Sequence, residues 1–227
     1  MKILIAGDSW AMGEWNSEWQ GPEHQILHKG LEQYLLDDNH TVTNTAKPGD
    51  GLDVILTTLK EHSKQKYDYV FVFVVDPHRD IEQDKFWIKD FTYQDYYNRH
   101  KKLIRKFVSN LEDLDIGPIV LIGGAAECLE EYVQGTKITI GIPSIIELLL
   151  SKEHQYEMCF QTHYGDINMD NITQKTLEGV YKQALMFDNI FHKEPIMYPD
   201  GEHPNREGHY KIYKVLKDKY LHATTID

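Results

Sequence analysis

The chain has 227 residues, 41% of them hydrophobic and 26% charged, and a formal net charge of −12. That length suits one domain with a substantial core, and the acidic balance disfavours nonspecific binding to nucleic acid or to anionic membranes. No apolar run reaches the roughly 18 residues of a membrane span, and the only two cysteines, Cys128 and Cys159, form neither a disulfide framework nor a metal cluster, so a reducing, cytoplasmic setting is expected.

The N-terminus lacks a secretory pattern, because Lys2 is followed by four apolar residues and then Gly7-Asp8. Residues 2–6 read instead as a short buried strand. Residues 26–36 have helical spacing, with Ile26, Leu27, Leu31, Tyr34 and Leu35 on or near one face. A second strand is expected over 41–45, then a turn at Pro48-Gly49-Asp50-Gly51 and a helix over 52–64. Residues 68–75 give the strongest strand signal, apolar on both faces as in the centre of a parallel sheet. A long helix over 93–114 ends at Gly117-Pro118, and Ile119–Ile122 is another buried strand, followed by Gly123-Gly124. A short helix starting at Ile142-Pro143-Ser144 and running through Leu150, a last strand at 157–160 and helices over 172–187 and 206–221 complete the chain.

Strands alternating with helices predict a single α/β domain over 1–227, an α/β sandwich with a mainly parallel sheet. Loop insertions are expected at 76–92 and 125–170. In such sheets, sites gather beyond the C-terminal ends of the strands. Ser9, Gly49, Asp76 and Gly123 all fall just after expected strands.

Ser9 ends Gly7-Asp8-Ser9 at a strand-to-helix turn. A serine hydroxyl is a poor nucleophile until a base takes its proton. Alone, these three residues also describe an ordinary turn, which Asp8 would hold by hydrogen bonding. His203 supplies a candidate base, its backbone restricted by Pro204. Asp200, three residues earlier, is placed to reach the imidazole and stabilise its cation. With 12 histidines in the chain, a lone one means little; the pairing with Ser9 carries the argument. Acyl transfer further needs donors aimed at the developing oxyanion. The backbone N–H of Gly49 and that of Ser9 are candidates, although Pro48-Gly49 would serve equally as a plain turn.

Gly7-Asp8-Ser9, the segment from Asn44 through Gly49-Asp50, and Asp200-Gly201-Glu202-His203-Pro204-Asn205 with Gly208-His209 resemble the first, second and last blocks of the SGNH/GDSL hydrolases. The resemblance frames nearly the whole chain, with no specific motif between 125 and 195. It implies a three-layer α/β/α sandwich with a flavodoxin-like sheet, and hydrolysis of esters, thioesters or acetylated sugars. It further implies Ser9 as nucleophile, His203 as base, Asp200 as orienter, Ser9 and Gly49 N–H as oxyanion donors, and no metal or organic cofactor.

The third block departs from that pattern. The family places Gly-x-Asn-Asp after the central strand, and its asparagine donates to the oxyanion. Here the segment is Val74-Val75-Asp76-Pro77-His78-Arg79-Asp80. An ionised Asp76 accepts hydrogen bonds but donates none. Three accounts are open. Asp76 is protonated or turned away; His78 or Arg79 supplies the missing donor or a substrate contact; or the site is weakened and the protein is a binding or assembly relative. O-acyl transfer to a sugar is a further alternative to hydrolysis.

Trp10, Trp15, Trp19 and Trp87 fall near the site in sequence. Their rings suit stacking on a carbohydrate ester, and they suit packing a loop equally well. His163, Asp166 and Asp170 lack a persuasive fourth ligand and read as a solvated loop. Gly123-Gly124 lacks the continuation of a phosphate loop. Cys159 reads as a strand residue, and the basic run at 99–102 as a solvated helix face.

Overall fold

The computed structural model describes residues 1–15, 25–75, 93–124, 128–149 and 203–221. Within them the elements are β1 (Lys2–Ala6), a 3-10 turn (Ser9–Ala11), β2 (Glu14–Trp15), β3 (Ile26–His28), α1 (Leu31–Asp37), β4 (Thr41–Asn44) and α2 (Leu52–His62). They continue with β5 (Tyr69–Val74), α3 (Tyr93–Glu112), β6 (Ile119–Gly123), α4 (Glu130–Val133), β7 (Thr139–Ile142), α5 (Ile145–Leu149) and α6 (Arg206–Tyr220).

Five strands form one parallel sheet in the order β4-β1-β5-β6-β7. Renumbered along the chain, this is the 2-1-3-4-5 order of flavodoxin-like folds, whose direction of winding reverses beside the first strand. Alternation along the strands divides the core in two. Ile3, Ile5, Phe71, Phe73, Val120 and Ile122 point to one side, where Leu31 and Leu35 of α1, Ile145 of α5, and Ile212 and Leu216 of α6 cover them. Leu4, Ala6, Val70, Val72, Val74 and Leu121 point to the other, under α2, α3 and α4. The result is a three-layer α/β/α sandwich.

The covering helices bury the residues that helical spacing selects. These are Leu52, Ile55, Leu56 and Leu59 in α2, and Ile104, Phe107, Val108 and Leu111 in α3.

Two expectations change. Residues 26–28 are a strand, not the first turn of a helix, and pair antiparallel with β2 (Glu14 opposite His28, Trp15 opposite Ile26). Gly30 is the reason: its φ of 55° is left-handed backbone, so the helix starts only at Leu31. Ile26 and Leu27, assigned to a helix face by spacing, are exposed at 39% and 51%. Further on, the fifth strand of the sheet is Thr139–Ile142, inside the stretch expected to be an insertion. The strand expected at 157–160 and the helix at 172–187 lie outside the described residues. No helix among the described residues is long and apolar enough to cross a membrane.

Candidate active site

The site begins where β1 ends. Gly7 lies so close to β5 that a Cβ there would stand 2.7 Å from that of Phe73 and 3.0 Å from that of Ala11. Glycine therefore lets the chain turn tightly over the sheet edge. Asp8 caps the turn that follows. Its carboxylate accepts the Trp10 N–H at 3.0 Å, and its carbonyl accepts the Ala11 N–H at 3.0 Å. Ser9 is the first residue of the turn and is buried. Its carbonyl accepts both the Met12 N–H and the Trp15 indole N–H, each at 3.2 Å. The nucleophile candidate thus has its backbone held from two directions.

His203 approaches from the far end of the sequence. Its Nε2 lies 2.8 Å from Ser9 Oγ, a hydrogen bond across 194 positions. The rings of Trp10 and Trp15 stand beside the imidazole, with centroids 6.5 and 5.7 Å away. Both indoles are only 6% and 5% exposed, so in this arrangement they line the His203 side of the site and offer little open ring face.

The loop after β4 is tied to the same place. Lys47-Pro48-Gly49-Asp50 has the features of a type II turn: proline second, Gly49 third with φ 76°, and Asp50 N–H on the Lys47 carbonyl at 3.3 Å. A Cβ on Gly49 would meet nothing within 4 Å, so the backbone conformation, not space, calls for glycine. Lys47 N–H donates to the Gly7 carbonyl at 3.3 Å, which fastens this turn to the end of β1. Asn44 adds a second tie. Its side-chain amide donates to the Ala11 carbonyl at 3.0 Å and accepts the Ala46 N–H at 3.1 Å.

The helix behind His203 is capped twice. Asn205 Oδ1 accepts the Gly208 N–H at 2.9 Å. Glu14, 6% exposed, accepts the Arg206 backbone N–H at 2.6 Å and two guanidinium N–H groups at 2.9 Å each. Burial alone would raise the Glu14 pKa, but the hydrogen bonds and charge of Arg206 hold it below its ordinary value. His209, one turn into α6, is fully buried, and neither ring nitrogen has a hydrogen-bond partner among the described residues. Burial pushes its pKa down to about 4, against an opposing pull from the backbone of Gly13.

Of the residues singled out in the sequence, Ser9, His203, Trp10 and Trp15 are brought together, and the Gly49 turn is fastened to Gly7. Asp200, Asp76, His78, Arg79, Trp19 and Trp87 lie outside the described residues. Sequence reasoning missed Glu14 and Arg206. A glutamate five residues after the serine and an arginine three after the histidine give no motif. Among the described residues no group of His, Cys, Asp and Glu has the arrangement of a metal site.

No protein-family model and no curated protein matches the chain. Similar solved structures include TesA, at 12% identity and a TM-score of 0.49, with 96% of this chain and 97% of that one covered. A member of the lipolytic protein G-D-S-L family from Veillonella parvula is 11% identical, TM-score 0.46, over 98% and 99% of the two chains. A carbohydrate acetylesterase family member from Sinorhizobium meliloti is 12% identical, TM-score 0.45, over 96% of each. Likenesses so distant carry no argument about activity, and the chemistry rests on this chain's own residues.

Proposed function

We propose that the protein is a serine hydrolase that cleaves an ester through an acyl-Ser9 intermediate. The observation that carries this is the 2.8 Å contact between Ser9 Oγ and His203 Nε2, at the C-terminal end of a parallel sheet. His203 takes the hydroxyl proton as Ser9 Oγ attacks the carbonyl carbon. It returns that proton to the leaving alkoxide, then deprotonates water for attack on the acyl-enzyme. Asp200, three residues before His203, orients the imidazole and stabilises its cation. The N–H groups of Ser9 and Gly49 stabilise the oxyanion, and no metal or organic cofactor takes part. The fastening of the Gly49 turn to Gly7 supports that pairing.

An O-acetyl ester on a carbohydrate is the substrate class we favour, with small-molecule esters the broader one. Contacts to it are assigned to Trp87, His78 and Arg79, and to whatever edge of Trp10 and Trp15 a substrate reaches. Asp76, in place of an oxyanion donor, favours a second reading, a binding or assembly protein on the same fold. Loss of one such donor costs about 2.7–4 kcal/mol of transition-state stabilisation, which slows a reaction without removing it. O-acyl transfer is separated from hydrolysis by product analysis with and without an alcohol acceptor.

The test is covalent labelling with a fluorophosphonate probe and peptide mapping of the adduct. Ser9 is expected to carry the label, and Ser9→Ala to lower ester turnover by on the order of 10^4-fold or more with its circular dichroism unchanged. Folded protein that neither labels at Ser9 nor turns over any ester leaves the binding reading standing and removes this one.

A further inference from the structure

We infer that Glu14 is a positioning residue, whose carboxylate sets the helix behind His203 against the turn that carries Ser9. This rests on the serine-hydrolase reading. Two links join the same two segments of chain. One is Ser9 to His203, at 2.8 Å. The other is Glu14 to Arg206, through three hydrogen bonds of 2.6, 2.9 and 2.9 Å. Glu14 sits on β2, directly after the Ser9 turn, and Arg206 is the first residue of α6.

The Glu14 carboxylate does more than pair with a surface arginine. Arg206 is 57% exposed at its side chain, whereas that of Glu14 is 8% exposed. A pair with one exposed partner contributes little by charge alone. The bond to the Arg206 backbone N–H differs, because it satisfies one of the first-turn donors that a helix leaves without an internal partner. A carboxylate there meets the positive end of the helix dipole. Between that anchor and the imidazole lie only Pro204, with its fixed φ, and Asn205, whose side chain caps the same helix. His203 therefore inherits its position from α6 through a short, stiff connection. The hydrogen bonds of Glu14 run to Arg206, so its effect passes through His203. Misplacing a catalytic group by about 1 Å can cost on the order of 10^2-fold in rate.

Rate constants and final amplitudes of fluorophosphonate labelling, measured for wild type, Glu14→Gln and Arg206→Ala, test the inference together with kcat and KM for an activated ester. The amplitude counts folded sites, so the rate constant per labelled site is unaffected by a loss of folded protein. For Glu14→Gln that rate constant and kcat are expected to fall about 10- to 100-fold, with KM changed by less than about 3-fold. Arg206→Ala removes the guanidinium and keeps the backbone N–H on Glu14, and is expected to fall by a smaller factor, about 3- to 10-fold. A Glu14→Gln rate constant within 2-fold of wild type overturns the inference and leaves the hydrolase reading intact. Should Glu14→Gln fail to fold, Glu14→Asp takes its place: it draws the carboxylate back by one methylene from the Arg206 backbone N–H, and a labelling rate constant within 2-fold of wild type overturns the inference. Folded wild-type protein that neither labels at Ser9 nor turns over any ester removes the hydrolase reading, and this inference with it.

Discussion

Trp15 illustrates how a single side chain here serves two ends. Its indole N–H donates to the Ser9 carbonyl at 3.2 Å while its ring stands 5.7 Å from that of His203. Met12 N–H reaches the same carbonyl, so the indole bond is a second restraint on the Ser9 backbone. Trp15→Phe keeps most of the packed ring and deletes the donor. A neutral hydrogen bond contributes about 0.5–1.5 kcal/mol net, and stability in urea is expected to fall by about that amount. If the bond also holds Ser9 in place for attack, kcat for an activated ester falls several-fold with KM little changed. Equal kcat in both proteins would show that the Met12 bond alone suffices. Gly7 makes the complementary case. Gly7→Ala forces a Cβ to within 2.7 Å of Phe73 Cβ, and overpacking of this kind costs about 1–3 kcal/mol. Thermal denaturation is expected to shift down accordingly.

The helix α6 and the strand β7, outermost among the described strands, bear on how much of this was legible beforehand. Strands β1, β5 and β6 were plain because each is an unbroken apolar run, and α2, α3 and α6 because their buried residues recur at three and four. Thr139-Ile140-Gly141-Ile142 hid because it is short and carries glycine, which weakens a strand signal. The structure supplies the reason for that glycine: a Cβ would stand 2.7 Å from Val120 Cγ1 and 3.0 Å from Leu216 Cδ2. Glycine lets α6 lie directly on β7. The helix expected over 26–36 was right from Leu31 on and wrong in its first turn, because Leu27, Leu31 and Leu35 happen to fall four apart while the left-handed φ at Gly30 cannot be read from spacing. The Ser9–His203 pairing was legible because each residue sits in a recognisable local setting. The Glu14–Arg206 pairing was not, since its partners have meaning only once α6 is docked. Gly141→Ala is therefore expected to lower stability by about 1–3 kcal/mol and to lower ester turnover as well, because His203 is joined to the start of α6 through only Pro204 and Asn205. Urea unfolding beside kcat for the same preparation measures both, and a destabilised variant of unchanged kcat would uncouple the α6–β7 seat from the site.

The molecule as a whole is poised to lose stability on the acid side, and the cause is concentrated behind the site. His209 is fully buried between the Gly13 region and Gly30, where a Cβ would lie 2.6 Å from its ring. Burial disfavours the imidazolium more than the neighbouring Gly13 backbone favours it, so the neutral imidazole is the form the fold accepts. Its pKa falls from 6.5 to about 4 on folding. The unfolded chain therefore binds a proton below pH 6.5 that the folded chain refuses until about pH 4, and the folded state loses ground throughout that window. At about 1.36 kcal/mol per pKa unit, the loss between pH 7.5 and pH 5 is about 2 kcal/mol. Burial depresses His28 and His40 in the same direction. Glu14 acts lower down: its pKa is held below 4.5, so its contribution is present above that value and is lost as pH falls through the folded pKa. His209→Leu separates these sources. Its stability in urea at a single pH reports repacking as well as charge, but its slope between pH 7.5 and pH 5 does not. The wild type is expected to lose about 2 kcal/mol more than the variant over that interval. Parallel curves for the two proteins would place the acid sensitivity elsewhere, in His28, His40 or the carboxylates.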